Sequence, residues 1–172
     1  LGATGNHLRT SGVRVESVDP QGPDALALLR EAAIEARALY PELFTPNAQW
    51  PTNVPTPERG TYLIAYSEDQ PVACGAFRPL EQAVAEVRRM FVTRSARRRG
   101  LAKIILQELE LQAREFGYTV LRLETGVRQS PAMALYESCG FRRIPPFGEY
   151  INDPTSVCFE KQLACGPSQS GA

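Results

Sequence analysis

The feature that most constrains this chain is a strand that runs into a basic turn and then into an amphipathic helix. Ala83 to Val92 reads as a strand, Arg97-Arg98-Arg99-Gly100-Leu101-Ala102 follows it, and a helix runs from about Gly100 to Phe116. Leu101, Ile104, Ile105, Leu109, Ala113 and Phe116 make one apolar stripe on that helix, while Glu108, Glu110, Gln112 and Glu115 lie largely outside it. Gly117 ends it. The first turn of a helix offers backbone N–H groups without partners and the positive end of the helix dipole, so an anion placed there is well received. Gly100 and Ala102 lack bulk, and the arginines supply charge and forked donors. The segment has neither the G-x-x-x-x-G-K-[ST] spacing of a P-loop nor the G-x-G-x-x-G of a dinucleotide fold. Taken alone it leaves two readings open, a pyrophosphate cradle and a solvated basic helix start.

The surrounding pattern indicates an α+β domain with a mixed sheet of about six or seven strands and helices on both faces. Val13 to Val18 alternates as a strand, and Asp24 is placed to cap a helix reaching Leu39, which Pro41 stops. Five prolines between Pro41 and Gly60 mark a long irregular segment around Trp50, of the kind used as a lid or binding loop. Thr61 to Tyr66, Val72 to Phe77 and Ala83 to Val92 are joined closely enough for an antiparallel meander. After the amphipathic helix come a strand over Val120 to Thr125, a short helix over Pro131 to Cys139 capped by Ser130, and strands over Phe141 to Ile144 and Ser156 to Leu163. One domain is expected over 13–164, with flexible tails over 1–12 and 165–172.

Zero formal net charge argues against a general nucleic-acid binder, whose affinity comes from excess Lys and Arg. The local excess from Arg88 to Lys103 is where an anionic partner should dock. The cysteines, Cys74, Cys139, Cys158 and Cys165, form no C-x-x-C pair, and His7 alone offers imidazole, so no metal is expected. No apolar run is long enough to span a bilayer, no signal-peptide pattern is seen, and reduced thiols with a cytoplasmic location are the simplest reading.

The motifs resemble those of the GNAT superfamily of acetyltransferases. Its [RQ]-x-x-G-x-[GA] signature is matched by Arg97, Gly100 and Ala102, after the strand Val87-Arg88-Arg89-Met90-Phe91-Val92. Its A-x-x-L-Y-x-x-x-G-F motif is matched by Ala132-Met133-Ala134-Leu135-Tyr136-Glu137-Ser138-Cys139-Gly140-Phe141. The likeness covers roughly Thr61 to Phe159. Leu123-Glu124-Thr125-Gly126 and Phe147-Gly148-Glu149-Tyr150 also look like a subfamily of small bacterial members, most of unsettled substrate.

The resemblance implies acetyl-CoA as co-substrate, lying in an opening between two parallel strands, Ala83–Val92 and Val120–Thr125. Met90, Phe91 and Val92 would pair with pantetheine, and Arg97, Arg98, Arg99, Gly100, Leu101, Ala102 and Lys103 would grip the pyrophosphate, with Gln129 and Ala132 lining the opposite side. Gln129 stands where the family often has Asn. Tyr136 occupies the position of the general acid that protonates the departing sulfur, and Glu86 matches a catalytic glutamate of histone acetyltransferases in the superfamily. Glu124, at the end of the opposing strand, is a second candidate base. Each carboxylate is alternatively a salt-bridge partner for Arg88, Arg89 or Arg122. Strand alternation puts Glu86, Arg88 and Met90 on one face unless a bulge, common in this strand of the family, intervenes. The cysteines read as small buried hydrophobes, which favours direct attack in a ternary complex over relay through a thiol.

The expected reaction is acetyl transfer to a primary amine of a small molecule. A regulatory acetyl-CoA-binding module and a protein acetyltransferase acting on lysine or N-terminal amines are the alternatives. Neither nucleic acid nor membrane is expected as partner, and a homodimer is left open. Candidate acceptor walls are the loop with Trp50, Phe77 and Arg78, and Phe147 to Tyr150. Arg78 can be read as a ligand for a substrate carboxylate or as a surface arginine beside Glu81.

Overall fold

The computed structural model describes residues 9–10 and 12–164. The expected C-terminal tail, most of the N-terminal one, His7 and Cys165 lie outside them. The strands are β1 (Arg9–Thr10), β2 (Val13–Ser17), β3 (Thr61–Ser67), β4 (Gln70–Glu81), β5 (Val84–Val92), β6 (Val120–Gly126), β7 (Arg142–Ile144) and β8 (Ser156–Gln162). The helices are α1 (Pro23–Leu39), α2 (Leu101–Glu115) and α3 (Ser130–Ser138). The strands form one sheet in the order β1-β2-β3-β4-β5-β6-β8-β7. All neighbours are antiparallel except β5 and β6, which run parallel at the centre. Arg9 and Thr10, inside the span expected to be tail, pair with Arg14 and Val13.

Alternation along the strands sends side chains to two cores. Leu63, Ala65, Ala85, Val87, Leu121 and Leu123 face α2 and α3, where Leu101, Ile105, Leu106, Leu109, Ala113, Tyr136 and Phe141 cover them. Tyr62, Ile64, Tyr66, Cys74 and Ala76 face α1 and pack on Ala25 and Leu28. Fully buried side chains such as Leu109, Leu121 and Phe159 each contribute roughly 1.5–3 kcal/mol relative to an exposed position. The expected helices on both faces are thus present, α1 on one side and α2 with α3 on the other.

Three local expectations are corrected. Asp24 does not cap α1: Gly22 is the N-cap, Pro23 opens the helix, and the Asp24 carboxylate accepts a hydrogen bond from Tyr66 Oη at 2.8 Å. Ser130 does not cap α3 either; Gln129 holds that position, and no side chain bonds the helix start. The β3–β4 turn is tighter than expected, with Ser67 opposite Gln70. Glu68 and Asp69 both adopt positive φ, 50° and 62°, which suits the twist of a two-residue hairpin, so β4 starts before Pro71 rather than after it.

Candidate active site

The site originates in a fault in β5. Cys74 of β4 pairs with Phe91 and Ala76 pairs with Arg88, so Arg89 and Met90 together stand opposite Gly75 alone. Arg89 absorbs the extra residue with φ of 59°. This is a β-bulge, and it bends the strand. Left-handed backbone costs a non-glycine residue about 1–2 kcal/mol, and side-chain ties hold it here. Arg89 Nε donates to Asn53 Oδ1 at 3.0 Å, and buried Asn53 donates in turn to Pro20 O at 2.8 Å. The carbonyl of Arg89 accepts from Cys74 Sγ at 3.1 Å. Gly75 is required beneath the bulge, because a Cβ there would stand 2.5 Å from Ile105 Cγ2 and 2.6 Å from Met90 Sδ.

The bulge has two consequences. The parallel ladder between β5 and β6 runs from Val84↔Val120 only to Val87↔Leu123, and beyond it the strands separate. Backbone groups of Arg88 to Val92 on that side are left without a strand partner. The bulge also reverses the alternation. Met90 packs into the α2 core beside Val92, while Phe91 turns to the α1 side. Met90 therefore does not share a face with Glu86 and Arg88.

The separation opens a cleft of about 960 Å³. Arg88 to Phe91 form one wall, and Leu123 to Gly126 with Gln129, Ala132 and Tyr136 form the other. The α1 side of the cleft is lined by Leu28, Ala32, Tyr40 and Phe44. Tyr40 reaches the end of β6, where its hydroxyl accepts from the Arg128 N–H at 2.9 Å, a position left free by the missing side chain of Gly126. The irregular segment after α1 folds back onto that helix. The guanidinium carbons of Arg30 and Arg37 each lie 3.5 Å from the Trp50 ring centroid, and Arg37 donates to Ala48 O and Gln49 O. Trp50 therefore serves as a clasp between loop and helix, not as a cleft wall.

Of the basic turn, Arg97 lines the opening, and Arg98 to Lys103 lie outside its lining. Arg98 and Gly100 have φ of 65° and 73°, and the first α2 bond is made by the Ile104 N–H to Gly100 O. The N–H groups from Arg98 to Lys103 thus precede the helical ladder and form an anion-receiving nest. Arg98, Arg99 and Lys103 are exposed, whereas the Leu101 side chain is buried in the core and only its backbone is available. Arg97 is engaged elsewhere, with Nε on Val92 O at 3.1 Å and Nη2 on Glu35 at 2.5 Å. Arg99 Nη2 donates to Ser67 Oγ at 3.1 Å.

Tyr136 and Glu124 reach the opening from opposite faces of the sheet. Tyr136 comes from α3, is 5% exposed, and packs edge-on against Phe141. Burial, then the nearby charge of Glu124, pushes its hydroxyl well above the ordinary tyrosine value, so it keeps its proton at neutral pH. Glu124 projects to the α1 side, because Leu123 and Thr125 take the other face. Burial raises its pKa, partly opposed by the hydrogen bond from Ser156 Oγ at 2.9 Å. It makes no ion pair among the described residues.

Glu86 is placed differently. It is 2% exposed and does not line the cleft. Its Oε1 accepts from Arg78 Nε at 2.9 Å and lies 3.5 Å from Arg88 Nη1, and its Oε2 accepts from Tyr150 Oη at 2.8 Å. Both oxygens are therefore occupied. Arg78 pairs with Glu86 and Glu149 rather than with Glu81, which lies 3.7 Å from Arg122. Gln129 and Ala132 line the cleft, the former with no side-chain bond among the described residues. Of the described cysteines, Cys74 alone lines the cleft, and burial pushes its thiol up to about 11, leaving little thiolate for a relay.

Tyr40, Asn53 and Tyr150 were not singled out as site residues by the sequence. Tyr40 precedes Pro41 and Tyr150 falls in a segment already flagged as a wall, but a single Asn in an irregular loop carries no signal. Among the described residues no group of three His, Cys, Asp or Glu is clustered to hold a metal, and no helix is long and apolar enough to cross a membrane.

Comparison with known proteins matches this geometry. The profile of the acetyltransferase (GNAT) family matches residues 26–141. An N-acetyltransferase of Bacillus subtilis (strain 168) named YsnE, itself uncharacterized, is 40% identical over 105 residues, covering 60% of this chain and 70% of its own. An IAA acetyltransferase of Azospirillum brasilense is 41% identical over 103 residues, 59% of this chain and 67% of its own. A solved chain of Klebsiella pneumoniae, assigned as an acyl-CoA N-acyltransferase, superposes with a TM-score of 0.74 at 29% identity and covers 90% of this chain and 100% of its own. With the bulged strand, the basic helix start and the tyrosine helix each in their places, and two thirds of the sequence matched, the chain belongs to the GNAT family and is an acetyltransferase.

Proposed function

We propose that the chain transfers an acetyl group from acetyl-CoA to the primary amine of a small molecule, by direct attack with both substrates bound. The observation that carries this reading is the opening beside the β5 bulge, onto which a protonated Tyr136 and an unpaired Glu124 converge. The residues present fit coenzyme A. The nest from Arg98 to Lys103 suits its pyrophosphate, and the released backbone of Met90 to Val92, apart from the Val92 carbonyl that Arg97 occupies, suits its amides. Arg98, Arg99 and Lys103 add charge, and Gln129 and Ala132 line the facing wall.

When bound, acetyl-CoA supplies an acyl group activated as a thioester. An attacking amine must first be neutral, and Glu124, unpaired and at the cleft wall, accepts its proton directly or through a water. As the new C–N bond forms and the C–S bond breaks, Tyr136 donates its hydroxyl proton to the leaving sulfur and is reprotonated by the second proton lost from the acylated nitrogen, while the proton held by Glu124 returns to solvent. Free backbone N–H groups along the separated part of β5 are the donors available to developing negative charge on the carbonyl oxygen. Glu86, with both oxygens engaged, fixes Arg78, Arg88 and Tyr150 rather than taking a proton itself. The α1 residues that flank the cleft along that side favour a small acceptor over a protein segment.

The test is release of coenzyme A thiol from acetyl-CoA across a panel of primary amines and a panel of lysine-bearing and free N-terminal peptides. Release with small amines and little with peptides is expected. Release confined to peptides overturns the acceptor class, and binding of acetyl-CoA without release from any acceptor favours a regulatory module.

A further inference from the structure

On the α1 face, Arg88 and Glu124 stand on opposite sides of the opening and both line the cleft. Arg88 belongs to a cluster whose charges are unevenly placed. Arg78 and Arg88 share one deeply buried carboxylate, that of Glu86. Two guanidiniums against one carboxylate leave one positive charge unmatched in the wall. Glu149 fills that deficit, with Oε1 3.1 Å from Arg88 Nη1 and 3.5 Å from Arg78 Nη2. Glu149, however, is 62% exposed and sits on a single turn, Gly148–Tyr150, whose Gly148 has φ of 54°. An exposed pair of this kind is weak and readily exchanged. Tyr150, by contrast, is anchored on Glu86, and Phe147 packs edge-on against it, so the arginines stay in place when Glu149 leaves.

Resting on the reading of the cleft as an amine acetyltransferase site, we propose that the acceptor carries a carboxylate as well as its amine, and that Arg88 with Arg78 binds this carboxylate in the place Glu149 occupies. The substrate class is therefore amino acids, or other amines bearing an acid group. Arg88 fixes the acid end and Glu124 faces the amine end across the opening. Forked guanidinium donors suit a planar carboxylate, whereas an amide of equal size offers them one neutral carbonyl oxygen and no charge.

The experiment measures thiol release from acetyl-CoA with common L-amino acids and ω-amino acids, each paired with its carboxamide, on the wild-type chain, Arg88→Gln and Glu149→Gln. The ratio of kcat/KM for acid over carboxamide is read for each. The wild type should prefer acids, and Arg88→Gln should lower the ratio by about tenfold or more, the size of one charge-assisted hydrogen bond. Because Arg88→Gln also disturbs the buried Glu86, Glu149→Gln serves as the second variant. It lies on an exposed turn and removes only the competing carboxylate, so it should raise the ratio, an effect a structural role cannot produce. Equal use of acids and carboxamides, or a ratio unmoved in both variants, overturns the proposal while leaving acetyl transfer intact. No release with any amine while coenzyme A still binds overturns the amine-acceptor reading, and this proposal with it.

Discussion

Tyr136 and Glu124 lie on different elements and different faces, yet the opened sheet brings both to one cleft. Replacing Tyr136 with Phe keeps its aromatic contacts with Phe141 and Phe159 and removes only the hydroxyl. We expect kcat to fall on the order of a hundredfold with KM for acetyl-CoA within a few-fold; a raised KM at unchanged kcat would contradict the acid role. The two carboxylates separate by pH and by stability. Burial raises the pKa of Glu124, so its activity as base should be lost as pH falls through that raised value, and Glu124→Gln should remove this limb of the pH–rate profile. A carboxyl with raised folded-state pKa adds stability at low pH that is lost as pH rises through that pKa. Glu124→Gln should therefore leave Tm at neutral pH unchanged or higher. Glu86→Gln should do the reverse, leaving the shape of the pH profile and costing about 1–3 kcal/mol through its broken bonds to Arg78 and Tyr150. For a chain of this size Tm falls by about 2–4 °C per kcal/mol. An acid limb that survives Glu124→Gln but not Glu86→Gln would exchange their roles.

Among the elements, β5 decides the site, and its decisive residue is the one the sequence conceals. An arginine in left-handed backbone leaves no local signature, so the bulge at Arg89 was allowed by the sequence but not visible in it. Once present, it moves Met90 to the opposite face from Glu86, which alternation alone would have paired. Gly75 is the element's counterpart. Gly75→Ala should force Ile105 and Met90 apart, costing about 1–3 kcal/mol as overpacking does. It should also weaken acetyl-CoA binding, because the bulge shifts. Thermal unfolding and acetyl-CoA KM measured together check this, and a stable variant with unchanged KM would mean that the bulge is not braced from this side. The basic start of α2 and the tyrosine of α3 were legible, since both are runs of contiguous residues on one helix. Asn53, Tyr40 and the grip of Glu86 on Tyr150 were not, because their partners lie far away in the chain and meet only after the sheet has formed.

At the scale of the molecule, the element order was readable because each strand and helix has clear periodicity and its own Gly or Pro punctuation. One deviation sits where a tertiary contact overrides local preference, at Asp24, drawn from capping to Tyr66, and another where the local hairpin turn through Glu68 and Asp69 takes positive φ without a glycine to signal it. The fold places Arg97 of the basic turn, the separated strands and the tyrosine helix around one cleft, although the chain carries no net charge overall. Affinity for a polyanionic ligand must then come from local donors, not from the field of the whole protein. The most direct test is a calorimetric titration of acetyl-CoA into the wild-type chain and into the double variant Arg98→Ala, Arg99→Ala. One site per chain, with a dissociation constant in the range of about 1 μM to 1 mM typical of enzyme substrates, weakened about tenfold or more in the double variant, is the predicted result. Absence of binding to the wild type, or binding that the two arginines do not affect, would contradict the assignment of this cleft and its helix start to acetyl-CoA.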